Sequence, residues 1–335
     1  AYDLLWRLGC GWYSPDPLWW VVPRNKTLAV PALDVTETPD FDMRDIWMVE
    51  TWRSGNDFLA EAWGLNARRI QANHAFFRIM RPQELKEQHP DWFGEKQLDM
   101  THPGVITYLV EHFRNVLDRK GGFLSLSLSA NDGEGFVAPP YNPDVGNISA
   151  QNLYLCNAVA RELRKTHPGR FLVTMLAYWA THEPPEPLLQ AEPEVCVFFA
   201  DHSDVTRAWP NGKRNRKMAE RFLGWKATGA ARGMYGYLMP GYREAQSPWR
   251  RIPWYRGQVT VETHRYWKEH GVNYVTYESG SRYESRAWPY RWPLYYVAAR
   301  SLWNTEADAD DIMSRVCKHL YGPAAEDMLA YYNTI

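Results

Sequence analysis

The sequence has little of several features that define large classes of protein. Its 335 residues include 4 Cys, which are too few for a disulfide framework. Neither sign of charge is in excess, because 38 Lys and Arg are balanced by 39 Asp and Glu and the net charge is -1. Nucleic-acid affinity needs an uncompensated cationic face, so this balance argues against a nucleic-acid binder. No run approaches the roughly 18 apolar residues of a membrane span, and no span is predicted.

Short motifs for cofactors and serine nucleophiles are missing as well. There is no Gly-x-Gly-x-x-Gly and no P-loop, so no nucleotide cofactor is predicted. The Gly-x-Ser-x-Gly elbow of serine hydrolases is absent too. Asp201 and His202 could form a metal pair or a hydrogen-bonded couple, but no third ligand stands at helical or hairpin spacing to them. The sequence therefore predicts neither a cofactor nor a metal site.

Aromatic residues, in contrast, are abundant: the chain holds 17 Trp, 20 Tyr and 12 Phe. Large aromatic side chains fill protein cores, so a core rich in Trp is one explanation. A sugar-binding cleft is the other, because flat aromatic faces cover the apolar faces of pyranose rings. The excess of Trp over the usual content of a core hints at carbohydrate binding, and the two explanations stay open at this point.

The beginning of the chain does not resemble a targeting segment. The first 20 residues include Asp3, Arg7 and Asp16 and contain no apolar core, so they do not form a signal peptide. The sequence opens inside a predicted helix, Tyr2–Leu8, without a capping residue before it. We therefore expect a cut or processed N-terminus, in which case the missing signal does not argue against export.

From about residue 42 onward, short apolar runs alternate with amphipathic stretches of helical periodicity. Eight of the apolar runs are predicted strands: Met43–Met48, Asn66–Ile70, His74–Met80, Phe123–Ser129, Phe171–Tyr178, Val195–Ala200, Gly233–Met239 and Val272–Glu278. The clearest predicted helices between them are Gly104–Lys120, Ala150–Thr166, Lys217–Lys226 and Val259–His270. Eight strands with intervening helices over about 250 residues are typical of an α/β protein with a (β/α)₈ TIM barrel. We place this barrel at residues 41–290, after an extended arm and before helices packed on it at 291–335.

Acidic residues follow two of the predicted strands. Asp132 and Glu134 lie in Asn131-Asp-Gly-Glu-Gly135 after the fourth strand, and Glu278 ends the eighth. Active sites of TIM barrels lie at the carboxyl ends of the strands. Glycoside hydrolysis needs a carboxylic acid for the leaving oxygen and a second carboxylate as nucleophile or base. The alternatives are structural: Asn, Asp and Gly also form ordinary turns, and Glu278 could cap a helix or form an ion pair.

Aromatic and polar side chains recur at the same strand ends. As substrate-binding residues we predict Trp47, Trp52, Tyr178, Trp179, Asp201, His202, Tyr237, Arg243 and Tyr277. The Trp and Tyr side chains would form a platform for sugar rings. Arg243 or Arg282 would pair with a uronate carboxylate, unless these arginines are simply solvated.

Several short stretches, spread over nearly the whole chain, resemble one family of bacterial proteins. They include Leu8-Gly-Cys-Gly-Trp12, His89-Pro-Asp-Trp-Phe93, Gln97-Leu-Asp-Met-Thr101, Ser129-Ala-Asn-Asp-Gly133 and Tyr321-Gly-Pro-Ala-Ala325. The family is a domain-of-unknown-function family of glycoside-hydrolase-like barrels, near the alpha-glucuronidases and beta-hexosaminidases. The resemblance implies a secreted or periplasmic protein in which a small α/β domain precedes the barrel, and residues 1–40 would be its remnant and the arm.

The resemblance also implies roles for the acidic residues. In the related glycosidases the acid follows the fourth strand, where Asp132 stands, and a second carboxylate lies on a late strand, as Glu278 does. The chain departs from the family at Phe136–Pro140, where a small cysteine cluster often occurs, and this weakens the idea of a structural metal. Beta-hexosaminidases have an adjacent Asp-Glu pair, whereas a glycine separates Asp132 and Glu134, so substrate-assisted hydrolysis is in doubt.

Together these observations predict an exo-acting glycoside hydrolase that acts on a polysaccharide-derived glycan, on uronic acid or hexosamine residues. Asp132 would be the general acid, Glu134 would share or take that role, and Glu278 would be the base or nucleophile. Two alternatives remain: a catalytically silent barrel that binds glycan, and a metal-dependent hydrolase built on Asp201 and His202. The expected partner is a carbohydrate, neither nucleic acid nor membrane is expected, and the oligomeric state is open.

Overall fold

The computed structural model describes residues 2–14, 16–24, 26–27, 29–30, 32–47, 57–65, 70–238, 255–278 and 288–335. A short antiparallel pair near the start joins β1 (Gly11–Trp12) and β2 (Trp20–Val21). The six longer strands are β3 (Met43–Ile46), β4 (Leu124–Ser127), β5 (Phe171–Ala177), β6 (Val195–Ala200), β7 (Ala231–Tyr237) and β8 (Tyr274–Glu278). They form one sheet in the order β3-β8-β7-β6-β5-β4.

Four pairings between neighbouring strands of this sheet are described, and all four are parallel. Met43 is opposite Tyr274 in β3 and β8, and Leu124 is opposite Phe171 in β4 and β5. All six residues of β6, Val-Cys-Val-Phe-Phe-Ala, are buried. A parallel sheet covered on both faces favours such continuous apolar runs over alternating ones.

The described residues form eleven α-helices: α1 (Tyr2–Arg7), α2 (Asp57–Ala62), α3 (Phe76–Ile79), α4 (Pro82–Leu85), α5 (Pro103–Arg119), α6 (Ile148–Arg164), α7 (Lys213–Lys226), α8 (Gly257–Glu269), α9 (Trp288–Trp303), α10 (Ala309–Tyr321) and α11 (Ala325–Thr334). Side chains fix the starts of the long ones. Asn147 accepts a hydrogen bond from the Ala150 N–H ahead of α6, and Asp308 does the same for the first turn of α10. Such caps satisfy backbone donors that have no partner inside a helix. No helix in the described ranges is both long and apolar enough to cross a membrane.

The chain divides into two compact units. The first unit comprises Ala1–Arg68, His202–Arg216 and Gly236–Ile335, and the second comprises Arg69–Asp201 and Lys217–Tyr235. In the first unit, α8, α9 and α10 pack on one another and α9 packs on β3. In the second, α6 packs on α5 and on β5. The predicted domains, with boundaries at residues 40 and 290, are continuous segments of the chain, whereas these units each combine separate segments. The predicted boundaries therefore stay a prediction.

The α/β class with a parallel sheet and surrounding helices is confirmed, whereas closure into an eight-stranded barrel stays a prediction. The third predicted strand, His74–Met80, was wrong, because residues 76–79 of it form the short helix α3. Within that segment, the described β-bridge joins His74 and Ser129 just beyond β4. The second predicted strand, Asn66–Ile70, lies outside the described residues except for Ile70.

Serine side chains explain why the chain before α3 runs beside β4 without a regular ladder. Ser125 Oγ accepts from the Gln71 N–H at 2.9 Å and donates to the Gln71 carbonyl at 3.0 Å. Ser127 Oγ does the same for Asn73, at 3.1 and 2.6 Å. The hydroxyls thus take the place of the backbone partners that a regular strand pair would supply.

Candidate functional site

A pocket opens in the second unit where β4 and β5 end. The space between its wall atoms, including the part that is open to solvent, is about 250 Å³. Residues from the segment beside β4, from the loop after β4 and from the turn after β5 form its wall: His74, Ala130, Asn131, Gly133, Phe136, Leu176, Tyr178, Trp179, Ala180 and Thr181. The predicted site at the carboxyl ends of the strands therefore coincides, for these two strands, with this pocket.

The loop after β4 is held in place by the buried side chain of Gln97. Its Nε2 donates to the carbonyl of Asn131 at 2.8 Å and to that of Gly133 at 3.1 Å. Its Oε1 accepts from the Asn131 N–H at 2.8 Å. One amide side chain thus satisfies three backbone groups of the loop and fixes its conformation.

Backbone conformation explains both glycines of this loop, and lack of space is a second reason at one of them. Gly133 has a φ of 95° and Gly135 a φ of 89°, in the left-handed region where a Cβ is costly. At Gly135 space is limiting as well, because a Cβ there would lie 2.9 Å from the Lys96 backbone nitrogen. The predicted turn character of the segment is therefore real, and it also serves to fix the loop against the preceding chain.

Asp132 and Glu134 lie on this fixed loop, and both side chains are exposed. Their neighbours Asn131 and Gly133 line the pocket, while the two carboxylates themselves are not part of its wall. The structure thus places both predicted acids beside the pocket, at the surface and open to water.

The turn after β5 presents Trp179 in an unusual backbone conformation. Trp179 has a φ of 52°, and its side chain is 60% exposed. A bulky residue in the left-handed region is a real outlier. Thr181 holds the turn, because its Oγ1 donates to the Leu176 carbonyl at 2.9 Å and accepts from the Tyr178 N–H at 3.1 Å. The turn thus holds the exposed ring of Trp179 at the pocket on a strained backbone.

His74 lines the same pocket, and sequence reasoning did not select it. Its Nδ1 lies 2.6 Å from the Ala130 carbonyl oxygen, and its ring meets that of Tyr178 edge-on at a centroid distance of 5.5 Å. The apolar pattern included His74, but as the first residue of a predicted strand, so His74 was not among the residues expected at a strand end. In the structure the chain before it runs beside β4, so His74 stands at the end of an extended segment, like the other residues of the site.

Asp201 ends the second unit directly after β6 and is buried. Its N–H donates to the Tyr235 carbonyl at 2.8 Å, which continues the pairing of β6 with β7. The nearby His182 is buried as well, and its Nε2 donates to the Ala200 carbonyl at 2.9 Å. Neither residue is in the wall of the pocket.

The remaining described candidates belong to the first unit. Trp47 follows β3, is 42% exposed and donates its indole N–H to Thr276 Oγ1 at 3.1 Å. Tyr237 stacks with His202 at a centroid distance of 5.6 Å. Glu278 ends β8, and its carbonyl accepts from the Leu238 N–H at 3.1 Å. These side chains are partly accessible, as a binding role requires.

Tyr277 is placed differently from the other aromatic candidates. Only 4% of it is exposed, and its hydroxyl lies 2.6 Å from Nε2 of His264. The other ring nitrogen of His264 lies 2.7 Å from Ser301 Oγ, so the three side chains form a buried hydrogen-bonded chain. Burial lowers the pKa of His264 to about 3, because a charged imidazolium would lose its hydration there.

A family model matches residues 12–334 of this sequence; the family is described as a domain of unknown function, DUF4838. The chain belongs to the DUF4838 family. The predicted resemblance to a family whose domain has no known function is thereby confirmed. Among functionally curated proteins, none matches the sequence.

One solved structure similar to this DUF4838 chain is a family GH115 4-O-methyl-alpha-glucuronidase with specificity for decorated arabinogalactans. The two chains share 11% sequence identity and superpose with a TM-score of 0.45. The alignment covers 84% of the DUF4838 chain but only 35% of the glucuronidase. This chain therefore spans about a third of the length of that enzyme.

Three predicted sugar-contacting residues of the DUF4838 chain, Trp52, Arg243 and Arg282, lie outside the described residues. Within the described ranges, no group of three or more His, Cys, Asp or Glu side chains could hold a metal ion. The metal-dependent alternative built on Asp201 and His202 therefore gains no third ligand there.

All four cysteines of the DUF4838 chain are buried free thiols. Burial raises the pKa of Cys156 and Cys196 well above the ordinary value, and that of Cys317 to about 11. A thiol reacts as its thiolate, so these groups are inert.

Proposed function

We propose that this chain is a glycoside hydrolase whose sugar site includes the pocket of the second unit. The observation that carries the proposal is the exposed ring of Trp179, held at positive φ beside the loop of Asp132 and Glu134. An exposed Trp on a strained backbone contributes little to a core, whereas its flat face suits the apolar face of a sugar ring. Carboxylates next to a bound sugar are the groups that glycosidic bond cleavage needs.

The roles follow the chemistry of a two-carboxylate reaction. Asp132 would protonate the leaving oxygen, with Glu134 sharing or taking that role, and a second carboxylate would act as base or nucleophile. Both loop carboxylates are exposed without substrate, so a bound sugar would be needed to cover them and exclude water. Gln97 already fixes the backbone of the loop that carries both carboxylates.

The proposed enzyme is exo-acting and removes a terminal sugar residue. The proposed substrates are uronic acid or hexosamine termini of polysaccharide-derived glycans, met outside the cytoplasm in a secreted or periplasmic setting.

A glycan-binding protein without hydrolytic activity is the second candidate. The exposure of both Asp132 and Glu134 favours it, because a general acid typically lies in a less hydrated environment. Under this alternative the aromatic platform would remain and the carboxylates would only form hydrogen bonds with the sugar.

A panel of aryl glycosides and glycan oligosaccharides, with glucuronides and hexosaminides included, tests both candidates. We expect wild type to release sugar and D132N to lose at least a hundredfold in turnover, since general acid catalysis contributes about 10²–10⁴ in rate. D144N is the matched control, because Asp144 is an exposed acid of a nearby turn outside the pocket wall. Full activity of D132N would refute its role, and sugar binding without release by wild type would favour the binding protein.

A further inference from the structure

We propose that His74 and Trp179 form a subsite for a neutral pyranose, in which Nε2 of His74 accepts a hydrogen bond from a sugar hydroxyl. The inference rests on the proposed function in one respect, namely that the ligand of the pocket is a sugar. It gives His74, which was not predicted as a site residue, a role in specificity. It also states that the sugar presents a hydroxyl at this position.

The hydrogen bond to Ala130 determines which nitrogen of His74 carries the proton. A carbonyl oxygen only accepts, so Nδ1, at 2.6 Å from the Ala130 oxygen, must be the donor. In the neutral imidazole the other nitrogen, Nε2, then holds a lone pair and is an acceptor. None of the described residues forms a hydrogen bond with Nε2, and the ring is part of the pocket wall.

The surroundings hold the ring in this orientation before any ligand binds. Tyr178 meets it edge-on at 5.5 Å. The backbone on either side is tied to β4 and its extension, because Asn73 is bonded to Ser127 and the Ala75 N–H donates to the Ser129 carbonyl at 3.1 Å. A contact residue held by its neighbours gives specificity without the entropy cost of ordering a free side chain.

The accepting lone pair discriminates between sugar substituents. A hydroxyl donates to it and forms a favourable hydrogen bond. A uronate carboxylate has only accepting oxygens, so it forms no hydrogen bond with Nε2 of the neutral ring. Trp179 adds no charge and covers a ring face. Within this pocket we therefore infer a hydroxyl-bearing neutral ring, and any carboxylate of the glycan would lie elsewhere.

Two substitutions separate the acceptor from the anchor. In H74N the side-chain amide can keep the hydrogen bond to the Ala130 carbonyl while Nε2 is removed. In H74Q the side-chain oxygen can approach the former position of Nε2. Methyl glycosides of glucose, galactose, N-acetylglucosamine and glucuronic acid serve as probes in ligand-observed NMR titrations. We expect H74N to weaken binding of the neutral probe about tenfold, as loss of one hydrogen bond implies, and H74Q to recover part of it.

A second measurement uses wild type alone, so the test does not depend on folding of the variants. Imidazole nitrogen NMR should show the Nε2 resonance of His74 shifting on addition of the neutral probe. Unchanged affinity in H74N, an unmoved Nε2 resonance, tighter binding of the glucuronide than of every neutral probe, or no binding at all would each overturn the proposal.

Failure of this inference and failure of the proposed hydrolysis give different results. If aryl glycosides are cleaved but H74N has the wild-type KM, the subsite is refuted and the hydrolase stands. If neutral probes bind through His74 and no glycoside is cleaved, the subsite stands and the hydrolase is refuted.

Discussion

The strain at Trp179 leads to a prediction in which a site residue works against stability. Its φ of 52° brings a Cβ into the left-handed region, at a cost of about 1–2 kcal/mol for any L-residue with a side chain. Glycine avoids this cost, but it also gives the unfolded chain more freedom, which offsets about 0.4–1 kcal/mol. Comparing W179A with W179G isolates this effect, because both variants lack the indole and differ only in the Cβ.

We therefore expect W179G to be more stable than W179A by about 1 kcal/mol. Urea unfolding followed by far-UV circular dichroism measures the difference. With a denaturant slope of about 3 kcal/mol/M, the midpoint of W179G should lie about 0.3 M higher. Both variants should lose sugar binding to the same degree, because neither has the ring.

The neighbouring residue provides the control. Ala180 lies in the same turn without a positive φ, so A180G should lower the free energy of unfolding by about 0.5–1 kcal/mol. If W179G were no more stable than W179A, the backbone at this position would not be strained, and the argument that the fold maintains the ring for a ligand would fail.

Two further predictions concern buried polar groups. Q97L should lower the free energy of unfolding by about 1–3 kcal/mol and reduce turnover, because three hydrogen bonds to the backbone of the loop of Asp132 and Glu134 are lost. Urea unfolding measures the change in stability, and steady-state kinetics measures the change in turnover. Wild-type turnover in Q97L would contradict this prediction. His264 should make wild type less stable in acid: its pKa is about 3 when folded and near 6.5 when unfolded, so the unfolded chain binds the extra proton between these values. The free energy of unfolding therefore keeps the full contribution of neutral His264 above about pH 6.5. This contribution is lost as the pH falls toward 3, and the loss reaches about 2 kcal/mol at pH 5. Urea unfolding of wild type and H264Q from pH 8 to 5 measures this loss, and H264Q should not show it. If the free energy of unfolding had the same pH dependence in wild type and H264Q, the prediction would be wrong.

Secondary structure was predictable wherever a periodic apolar pattern and burial coincide. The predicted strand Val195–Ala200 matches β6 at both ends, since every residue is apolar and buried. The predicted helix Gly104–Lys120 differs from α5 by one residue at each end, with Val105, Leu109 and Phe113 on its buried face. In such segments local pattern and tertiary packing favour the same structure.

The parts of the site that sequence reasoning missed depend on polar contacts between distant segments. Gln97 holds a loop more than thirty residues further along the chain, and nothing in its local sequence indicates this. His74 was assigned to the wrong end of a strand because Ser125 and Ser127 supply hydrogen bonds that hydrophobic patterning does not encode. Asp132 and Trp179 could be named as candidates from the sequence because turn chemistry and aromatic residues at strand ends are local signals.

The abundance of Trp has two physical origins that a count cannot separate. Trp63, Trp267 and Trp292 are among the largest fully buried side chains, and burial alone accounts for their presence. Trp179 has an exposed ring on a backbone that costs the fold free energy. A residue that stabilises neither by burial nor by conformation requires another reason, and a flat surface for a ligand supplies one. For this reason the stability difference between W179G and W179A bears on function as well as on folding.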